Sequence, residues 1–166
     1  IESWRGVYDY DVQLIPTGID ALPKPSAREL SEFKQKYGIA EDDEVILYVG
    51  RLAAEKNLDV LIPVLRRVLR SRPKARLLYV GDFEYRATLE QKAARSGFGD
   101  RITFTGSLPR EDLGVAYAAG DVFAFPSLTD TQGLVLHEAA HAGLPFVIID
   151  RDVTQVVVDG ENGIVA

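Results

Sequence analysis

Short apolar runs of strand length recur along the chain. They are continuously apolar instead of alternating with polar residues, which is typical of parallel strands that are covered on both faces. An early run at 12–15 stops at a Pro-Thr-Gly turn signal and predicts a short strand. The later runs predict five strands, at 45–49, 77–80, 102–105, 122–125 and 146–149.

Segments with helical periodicity separate these strands. From Leu58 to Leu69, apolar residues recur at i, i+3, i+4 and i+7, and Ser26 is placed to cap an earlier helix over 27–37 that Gly38 would end. Strand and helix alternate, so the sequence predicts an α/β fold with a Rossmann-like, doubly wound, mostly parallel sheet. The remaining predicted helices cover 84–96, 110–119 and 133–142.

The first crossover helix contains a proline and leads into a basic run. Pro63 costs about 3 kcal/mol in a helix interior relative to Ala, so we expect a kink or a late helix start. The basic run suits either a lipid or phosphate patch or the solvated face and end of a helix. The second interpretation is favoured because cations stabilise a helix carboxyl end. The run consists of Arg66, Arg67, Arg70, Arg72, Lys74 and Arg76.

Composition and charge narrow the classes of protein to which the chain can belong. The chain has 166 residues, of which 46% are hydrophobic and 27% charged, as expected for one soluble domain. Its net charge of −6 argues against a nucleic-acid binder. The absence of cysteine excludes disulfides and cysteine nucleophiles, and no apolar run approaches the roughly 20 residues of a membrane helix. Because there is no methionine, we expect Ile1 to be an internal residue of a longer protein.

The loops that follow the strands carry the candidate chemistry, because ligands of open α/β sheets bind beyond the carboxyl ends of the strands. Arg51 and Lys56 share the loop after the first central strand, and two cations suit a diphosphate. Residues 131–133 lead a helix whose backbone N–H groups and dipole could hold the same anion. Asp130 and Glu138 bracket that helix start, where carboxylates suit sugar hydroxyls.

Two nucleotide-binding motifs are absent, and a metal-binding one is present. Neither a Gly-x-x-x-x-Gly-Lys-Ser/Thr cradle nor a Gly-x-Gly-x-x-Gly after a strand occurs, which disfavours an ATPase or a nicotinamide dehydrogenase. His137, Glu138 and His141 form a His-Glu-x-x-His motif typical of zinc proteases. A zinc protease needs a third ligand and a peptide cleft. The motif lies on a short crossover helix, so this function is disfavoured.

An ordered series of motifs runs through most of the chain, including Val-Gly-Arg-Leu-Ala-Ala-Glu-Lys-Asn at 49–57 and Gly-Leu-Val-Leu-His-Glu-Ala at 133–139. Together they resemble the donor-binding, C-terminal half of the family-4 retaining glycosyltransferases of GT-B fold. The segment at 15–20 is similar to the region near the hinge into that domain. The matching segments are 15–20, 49–57, 80–82, 102–106, 125–139, 142–145 and 159–163.

The resemblance implies a nucleotide-sugar site. Arg51 and Lys56 match the pair that neutralises the donor diphosphate and helps the leaving group depart. Glu138 matches the carboxylate that holds the ribose, and Asp130 stands where the family usually has a Glu that contacts the transferred sugar. Arg51, Lys56 and Asp130 are thus implied to be catalytic, and no metal or cofactor is implied. The implied donor-binding set is Gly50, Arg51, Lys56, Gly81, Phe104, Thr105, Asp130, Thr131, Gln132, Gly133, Leu134 and Glu138.

Three departures from the family pattern fall at the site. Asp130 is about 1.5 Å shorter in reach than Glu, so either its contact with the sugar is lost or the donor sits closer to it. Residues 131–133 replace an aromatic-Gly form and resemble the subset that glycosylates diacylglycerol-type lipids. Residues 82–84 replace a frequent Gly-Pro turn and are expected to reshape the rim of the pocket.

The resemblance also implies a domain organisation. Residues 1–166 form one donor-binding domain with a hinge region at 1–20, while the N-terminal acceptor domain and the C-terminal closing helix lie outside the sequence. We expect a UDP- or GDP-hexose donor, an acceptor hydroxyl on a glycolipid or glycan, and no turnover by this domain alone. The expected location is cytoplasmic, with any membrane contact made through the other half.

Two further functions stay open at this point. One is a GT-B-like relative with other chemistry, such as a nucleotide-sugar epimerase or a phosphorylase-like enzyme. The other is a non-catalytic α/β module that binds nucleotides.

Overall fold

Parallel strands form a single sheet in a computed structural model that describes residues 17–128, 130, 133–150 and 156–166. Within these residues the sheet has six strands in the order β3-β2-β1-β4-β5-β6, and every neighbouring pair is parallel. The order reverses direction after β3, which confirms the predicted doubly wound α/β fold. The strands are β1 Glu44–Val49, β2 Ala75–Val80, β3 Ile102–Phe104, β4 Val122–Phe125, β5 Phe146–Ile148 and β6 Gly163–Val165.

The sixth strand is absent from the predicted set. It has only three residues, it forms an edge of the sheet, and its central Ile164 is 60% exposed. So short a run gives no strand signal of its own, and its pairing with β5 supplies what the local sequence lacks. The strand predicted at 12–15 lies outside the described residues.

The helices begin and end close to the predicted positions. Ser26 caps the first helix, and its backbone N–H and Glu29 complete a capping box. The pattern from Leu58 divides into a 3₁₀ turn, Leu58–Val60, and a helix that starts only at Leu61. Pro63 therefore lies in a first turn, where its missing N–H is tolerated, and the late helix start is confirmed. The helices are α1 Ala27–Lys36, α2 Leu61–Val68, α3 Arg86–Arg95, α4 Arg110–Ala118 and α5 Leu134–His141.

The core explains why the strands are apolar throughout. All six residues of β2 are buried, and α2 packs on this strand while α1 packs against α4. Aromatic rings from neighbouring elements fill the centre of the sheet, with Tyr48, Tyr79, Tyr117, Phe123 and Phe125 almost fully buried. Among the described residues, no helix is long and apolar enough to cross a membrane.

Arg76 corrects the interpretation of the basic run. The first five members are exposed, as expected for a solvated helix face and end. Arg76 is instead 8% exposed and donates to Asp43 at 2.7 Å, to the Asp100 carbonyl at 2.9 Å and to Thr103 at 3.1 Å. It occupies an inward position of the central strand β2, where this ion pair and these hydrogen bonds replace hydration.

Candidate functional site

A cavity of about 280 Å³ opens between the carboxyl ends of β1 and β4, beside the start of α5. This is the end of the sheet at which doubly wound folds bind their ligands. Aromatic residues at the strand ends form its floor, and charged and glycine residues from two loops form its walls. The lining consists of Tyr48, Val49, Gly50, Arg51, Lys56, Phe125, Asp130, Gly133, Leu134 and Val135.

Two glycines allow the loops after β1 and β2 to approach each other. Gly50 has φ +147° and Gly81 has φ +131°, and a Cβ on Gly81 would lie 2.0 Å from the Gly50 carbonyl oxygen. Only glycine fits such a contact without moving the backbone. The Gly50 N–H donates to the Val80 carbonyl and the Leu52 N–H to the Asp82 carbonyl, each at 3.0 Å. Gly81 thus shapes the wall from behind, although it does not line the cavity itself.

Arg51 extends along the rim of the cavity. Its side chain is 59% exposed, its Nη2 lies 3.4 Å from Glu55, and its guanidinium carbon lies 5.0 Å above the centre of the Phe83 ring. The ring supports the cation from the neighbouring loop. Neither contact buries the guanidinium, so Arg51 keeps donors for an anion that enters the cavity.

Lys56 lies on the inner wall and joins the two halves of the site. It ends the 3₁₀ turn Ala54–Lys56, is only 9% exposed, and its Nζ donates to Asp130 Oδ2 at 2.9 Å. The next residue, Asn57, adopts the left-handed conformation (φ 54°) and its amide donates to the Pro126 carbonyl at 3.3 Å. These two contacts hold the loop after β1 against the loop after β4.

The start of α5 closes the site on its other side. Gly133 is buried at the helix N-cap with φ 54°, and its N–H points to Asp130 Oδ1 at 3.4 Å. Leu134 begins the helix and is partly exposed toward the cavity. Of residues 131–133, whose backbone N–H groups are predicted to hold the anion, the structure describes Gly133, and this residue lies beside the two cations. Thr131 and Gln132 lie outside the described residues.

Glu138 lies one turn farther along α5 and does not line the cavity. It is 9% exposed, accepts a hydrogen bond from the Tyr117 hydroxyl at 2.8 Å through Oε2, and lies 3.6 Å from Arg110 through Oε1. Burial, together with the nearby negative charge of Glu138, raises the pKa of Tyr117, so the phenol stays protonated and donates. This carboxylate is thus paired inside the protein at a fixed position.

Phe104 and Thr105 lie away from the cavity lining. The Phe104 ring stacks on Tyr79 with centroids 5.0 Å apart, and the Thr105 hydroxyl donates to the Gly106 carbonyl at 2.7 Å. The Gly81 N–H donates to that same Gly106 carbonyl at 2.9 Å. These residues continue the edge of the sheet from Gly81, so a ligand must extend past Gly81 to reach them.

Six of the predicted residues thus meet at the cavity, while Gly81, Phe104, Thr105 and Glu138 lie away from its lining. Several lining or supporting residues were not predicted. Tyr48 and Phe125 carry only an ordinary strand signal, and Asn57 carries a weak one, since Asn tolerates the left-handed conformation. Nothing local in the sequence marks Tyr117 or Phe83. The residues that meet at the cavity are Gly50, Arg51, Lys56, Asp130, Gly133 and Leu134.

The structure offers no support for the zinc-protease hypothesis. His137 is half-buried and His141 exposed on α5, and the described residues contain no group of three or more His, Cys, Asp or Glu side chains able to hold a metal ion. Within the described residues, the pair therefore lacks the third ligand that a catalytic zinc site uses.

Comparison with known sequences identifies relatives along almost the whole chain. A profile described as "Glycosyl transferases group 1" matches residues 30–166. The alpha-monoglucosyldiacylglycerol synthase of Acholeplasma laidlawii is 31% identical over 95% of this chain and 41% of its own length. A GDP-mannose-dependent alpha-(1-6)-phosphatidylinositol monomannoside mannosyltransferase of Mycolicibacterium smegmatis is 34% identical over 91% of this chain and 42% of its own. The chain thus spans about two fifths of the length of these relatives.

Solved structures give the same result for the fold. HepE of Anabaena in complex with UDP-glucose superposes with a TM-score of 0.75 at 29% identity, over 86% of this chain and 40% of HepE. The sucrose-phosphate synthase of Thermosynechococcus elongatus superposes with a TM-score of 0.81 at 28% identity, over 99% of this chain and 42% of the synthase. The predicted fold and family resemblance are both confirmed.

Proposed function

Because this chain belongs to the family of glycosyl transferases group 1, we propose that it is the donor-binding half of a retaining glycosyltransferase. The enzyme moves a hexose from a nucleoside diphosphate sugar to an acceptor hydroxyl. The observation that carries this proposal is the joint presence of Arg51, Lys56 and the start of α5 around one cavity. Two cations and a helix N-terminus are the groups that bind a diphosphate.

The cations assist the reaction by stabilising the leaving group. The bond between the anomeric carbon and the distal phosphate oxygen breaks, and its electron pair leaves with the nucleoside diphosphate. The acceptor oxygen bonds to the anomeric carbon, and its proton passes to the departing diphosphate. Arg51 and Lys56 neutralise the charge that develops on that diphosphate, a role of preorganised electrostatics.

Asp130 has two tasks in this scheme. It holds Lys56 at 2.9 Å and, at the edge of the same cavity, offers an acceptor for a hydroxyl of the transferred sugar. A bound phosphate takes part of the Lys56 interaction and releases the carboxylate toward the sugar. The shorter Asp side chain suits this double role because it keeps the carboxylate close to the lysine.

The proposed donor is a UDP- or GDP-hexose, and the proposed acceptor a glycolipid or glycan. HepE was solved with UDP-glucose, and one relative is named as GDP-mannose-dependent, so both bases have support. Relatives whose names contain diacylglycerol and phosphatidylinositol favour a lipid acceptor. We propose a cytoplasmic enzyme with membrane contact through its other half, and no metal or cofactor, since Arg51 and Lys56 supply the positive charge.

Ligand titration tests the proposal directly. We expect saturable amide shifts at Gly50, Arg51 and Lys56 when UDP or GDP is added. Replacing both cations, Arg51→Ala with Lys56→Ala, should weaken diphosphate binding at least about 100-fold, since each charged hydrogen bond contributes about 1.5–3 kcal/mol. Arg67→Ala with Arg70→Ala removes the same charge from exposed positions at the carboxyl end of α2 and just beyond it, and should leave the affinity unchanged.

The same variants separate the alternatives. An absence of saturable binding at millimolar UDP and GDP would contradict a donor site. In the protein that carries this domain, transfer that survives loss of both cations would contradict the mechanism. An epimerase would release altered donor without acceptor, and a phosphorylase would consume inorganic phosphate, so product analysis distinguishes both from a transferase.

A further inference from the structure

Helix α4 contacts both oxygens of the Glu138 carboxylate. Arg110 and Tyr117 are seven residues apart on this helix and therefore lie on one face of it. The Tyr117 hydroxyl donates to Oε2 at 2.8 Å, and Arg110 Nη1 lies 3.6 Å from Oε1. A single carboxylate on α5 is thus held by two different groups of its neighbour.

The two contacts differ in strength. Tyr117 is fully buried, and its hydrogen bond to Glu138 is buried as well. Arg110 has a 53% exposed side chain, and its Nη2 also donates to the Asp20 carbonyl at 3.2 Å. Because buried hydrogen bonds are hard to replace and exposed ion pairs contribute little, Oε2 is fixed while Oε1 is exchangeable.

Glu138 is also at a useful distance from the cavity. It follows Leu134, which lines the cavity, by four residues, so the two share a face of α5 and are separated by one turn, about 5.4 Å. A ligand whose diphosphate occupies the cavity and whose next unit extends along α5 would meet Oε1 with that next unit.

We propose that Tyr117 is a positioning residue for nucleoside recognition: by fixing Glu138 Oε2, it presents Oε1 to the adjacent hydroxyls of a ribose. Arg110 holds Oε1 until the ribose replaces it. This inference rests on the proposed donor site and adds a residue to it that touches no substrate. It predicts that affinity for the ribose hydroxyls depends on the Tyr117 phenol, which contacts Glu138 and does not contact the ribose.

The test compares three ligands on the chain and its variants. UDP carries the ribose diol, 2′,3′-dideoxyuridine diphosphate lacks it, and inorganic pyrophosphate lacks the nucleoside; the guanosine pair serves equally if GDP binds better. Wild type should bind UDP about tenfold more tightly than the dideoxy compound. Tyr117→Phe should bring that ratio close to one and leave pyrophosphate affinity unchanged.

Tyr79→Phe is the matched control. Tyr79 is as deeply buried as Tyr117, and its hydroxyl donates to the Leu58 carbonyl at 2.9 Å, away from Glu138. Both variants lose one buried hydroxyl, but only Tyr117→Phe should lose ribose discrimination. In a Glu138→Gln background, Tyr117→Phe should have no further effect on the ratio, because the two residues act as a unit.

Each outcome has a definite meaning. If Tyr117→Phe keeps the wild-type ratio, the inference is overturned. If wild type binds the diol and dideoxy ligands equally, Glu138 does not recognise ribose, and the inference is overturned while the diphosphate site stands. Failure of all three ligands to bind contradicts the proposed function itself.

A second measurement covers the case in which Tyr117→Phe does not fold. With 3-fluorotyrosine at position 117, the fluorine resonance should shift when UDP binds and stay in place with pyrophosphate. A resonance that responds to neither ligand, although both bind, overturns the inference.

Discussion

The two ends of the sheet each hold a buried cation beside a carboxylate, and the surroundings of the two pairs differ. At the amino end, Asp43 accepts hydrogen bonds from the Ala40 N–H at 2.9 Å, from Arg76 at 2.7 Å and from Arg101 at 3.0 Å. At the carboxyl end, Lys56 donates one hydrogen bond to Asp130 within the described residues, and both line a cavity. One pair is enclosed by protein partners, and the other borders open space.

This difference distinguishes an ion pair that only stabilises the fold from one that can belong to a binding site. A buried charge is expensive unless its hydrogen-bonding groups are satisfied, and the guanidinium of Arg76 meets that need with Asp43 just before β1, the Asp100 carbonyl just before β3 and Thr103 in β3. A lysine ammonium has three N–H donors. Lys56 therefore keeps capacity for a ligand, and the cavity beside it provides the room. The hydrogen bonds made by the two cations, three by Arg76 and one by Lys56 among the described residues, thus indicate which end of the sheet can accept an anion.

The largest expected effect is on the enclosed pair. Asp43→Ala leaves Arg76 buried without its carboxylate and should lower the free energy of unfolding by about 3 kcal/mol, measured by urea denaturation. Diphosphate affinity of the folded variant should not change. Asp42→Ala is the matched control, because Asp42 is the adjacent residue and its ion pair with Lys74 is exposed; its unfolding midpoint should equal that of wild type. Equal losses in the two variants would contradict the assigned difference.

A smaller effect is expected at the open pair, Lys56 and Asp130, and there the change should strengthen an interaction. Asp130→Asn removes the carboxylate that competes with phosphate for Lys56, so pyrophosphate should bind several-fold more tightly, while sugar transfer by the complete enzyme should fall. Calorimetric titration measures the first effect. Asp42→Asn changes net charge equally at the far end of the sheet and should leave the affinity unchanged. Weaker binding by Asp130→Asn would show that the carboxylate supports the anion site instead of competing.

The smallest effect is the acid response of the enclosed pair. Burial alone would raise the pKa of Asp43, but Arg76, the Ala40 N–H and Arg101 together hold it below its ordinary value of 3.8. Its folded pKa is lower than its unfolded pKa. The stability from this group is therefore present above about pH 4 and is lost as pH falls through the folded value. Thermal melts from about pH 5 downward should show a shallower decline for Asp43→Ala than for wild type; parallel curves would contradict the assignment.

The sheet was predictable where burial on both faces leaves a long apolar run. β1 and β2 are such strands, and they were found to within two residues. β6 was not, because three half-exposed residues at an edge owe their conformation to pairing with β5. Arg76 was misjudged for a related reason. Its burial depends on Asp43 and Thr103, and a charge run in the sequence does not reveal partners that only the fold brings near.

The candidate site was predictable to the extent that ligands of parallel sheets bind at the loops after the carboxyl ends of the strands. That rule places Arg51, Lys56 and Gly133 together, and the structure confirms their proximity. The roles assigned to them stay predictions. The supporting contacts could not be predicted, since Asn57 and Tyr117 act through partners 69 and 21 residues away.

The bridge between the two cavity loops has a consequence for the lifetime of the protein. Lys56 and Asp130 are 74 residues apart in the chain, so a donor bound across them is a reversible cross-link between distant segments. A ligand at 100 times its dissociation constant raises the free energy of unfolding by about 2.7 kcal/mol. If the proposed donor binds here, the domain should resist proteolysis when that donor is abundant and be degraded faster when it is scarce, which would couple the amount of the protein to the supply of the donor.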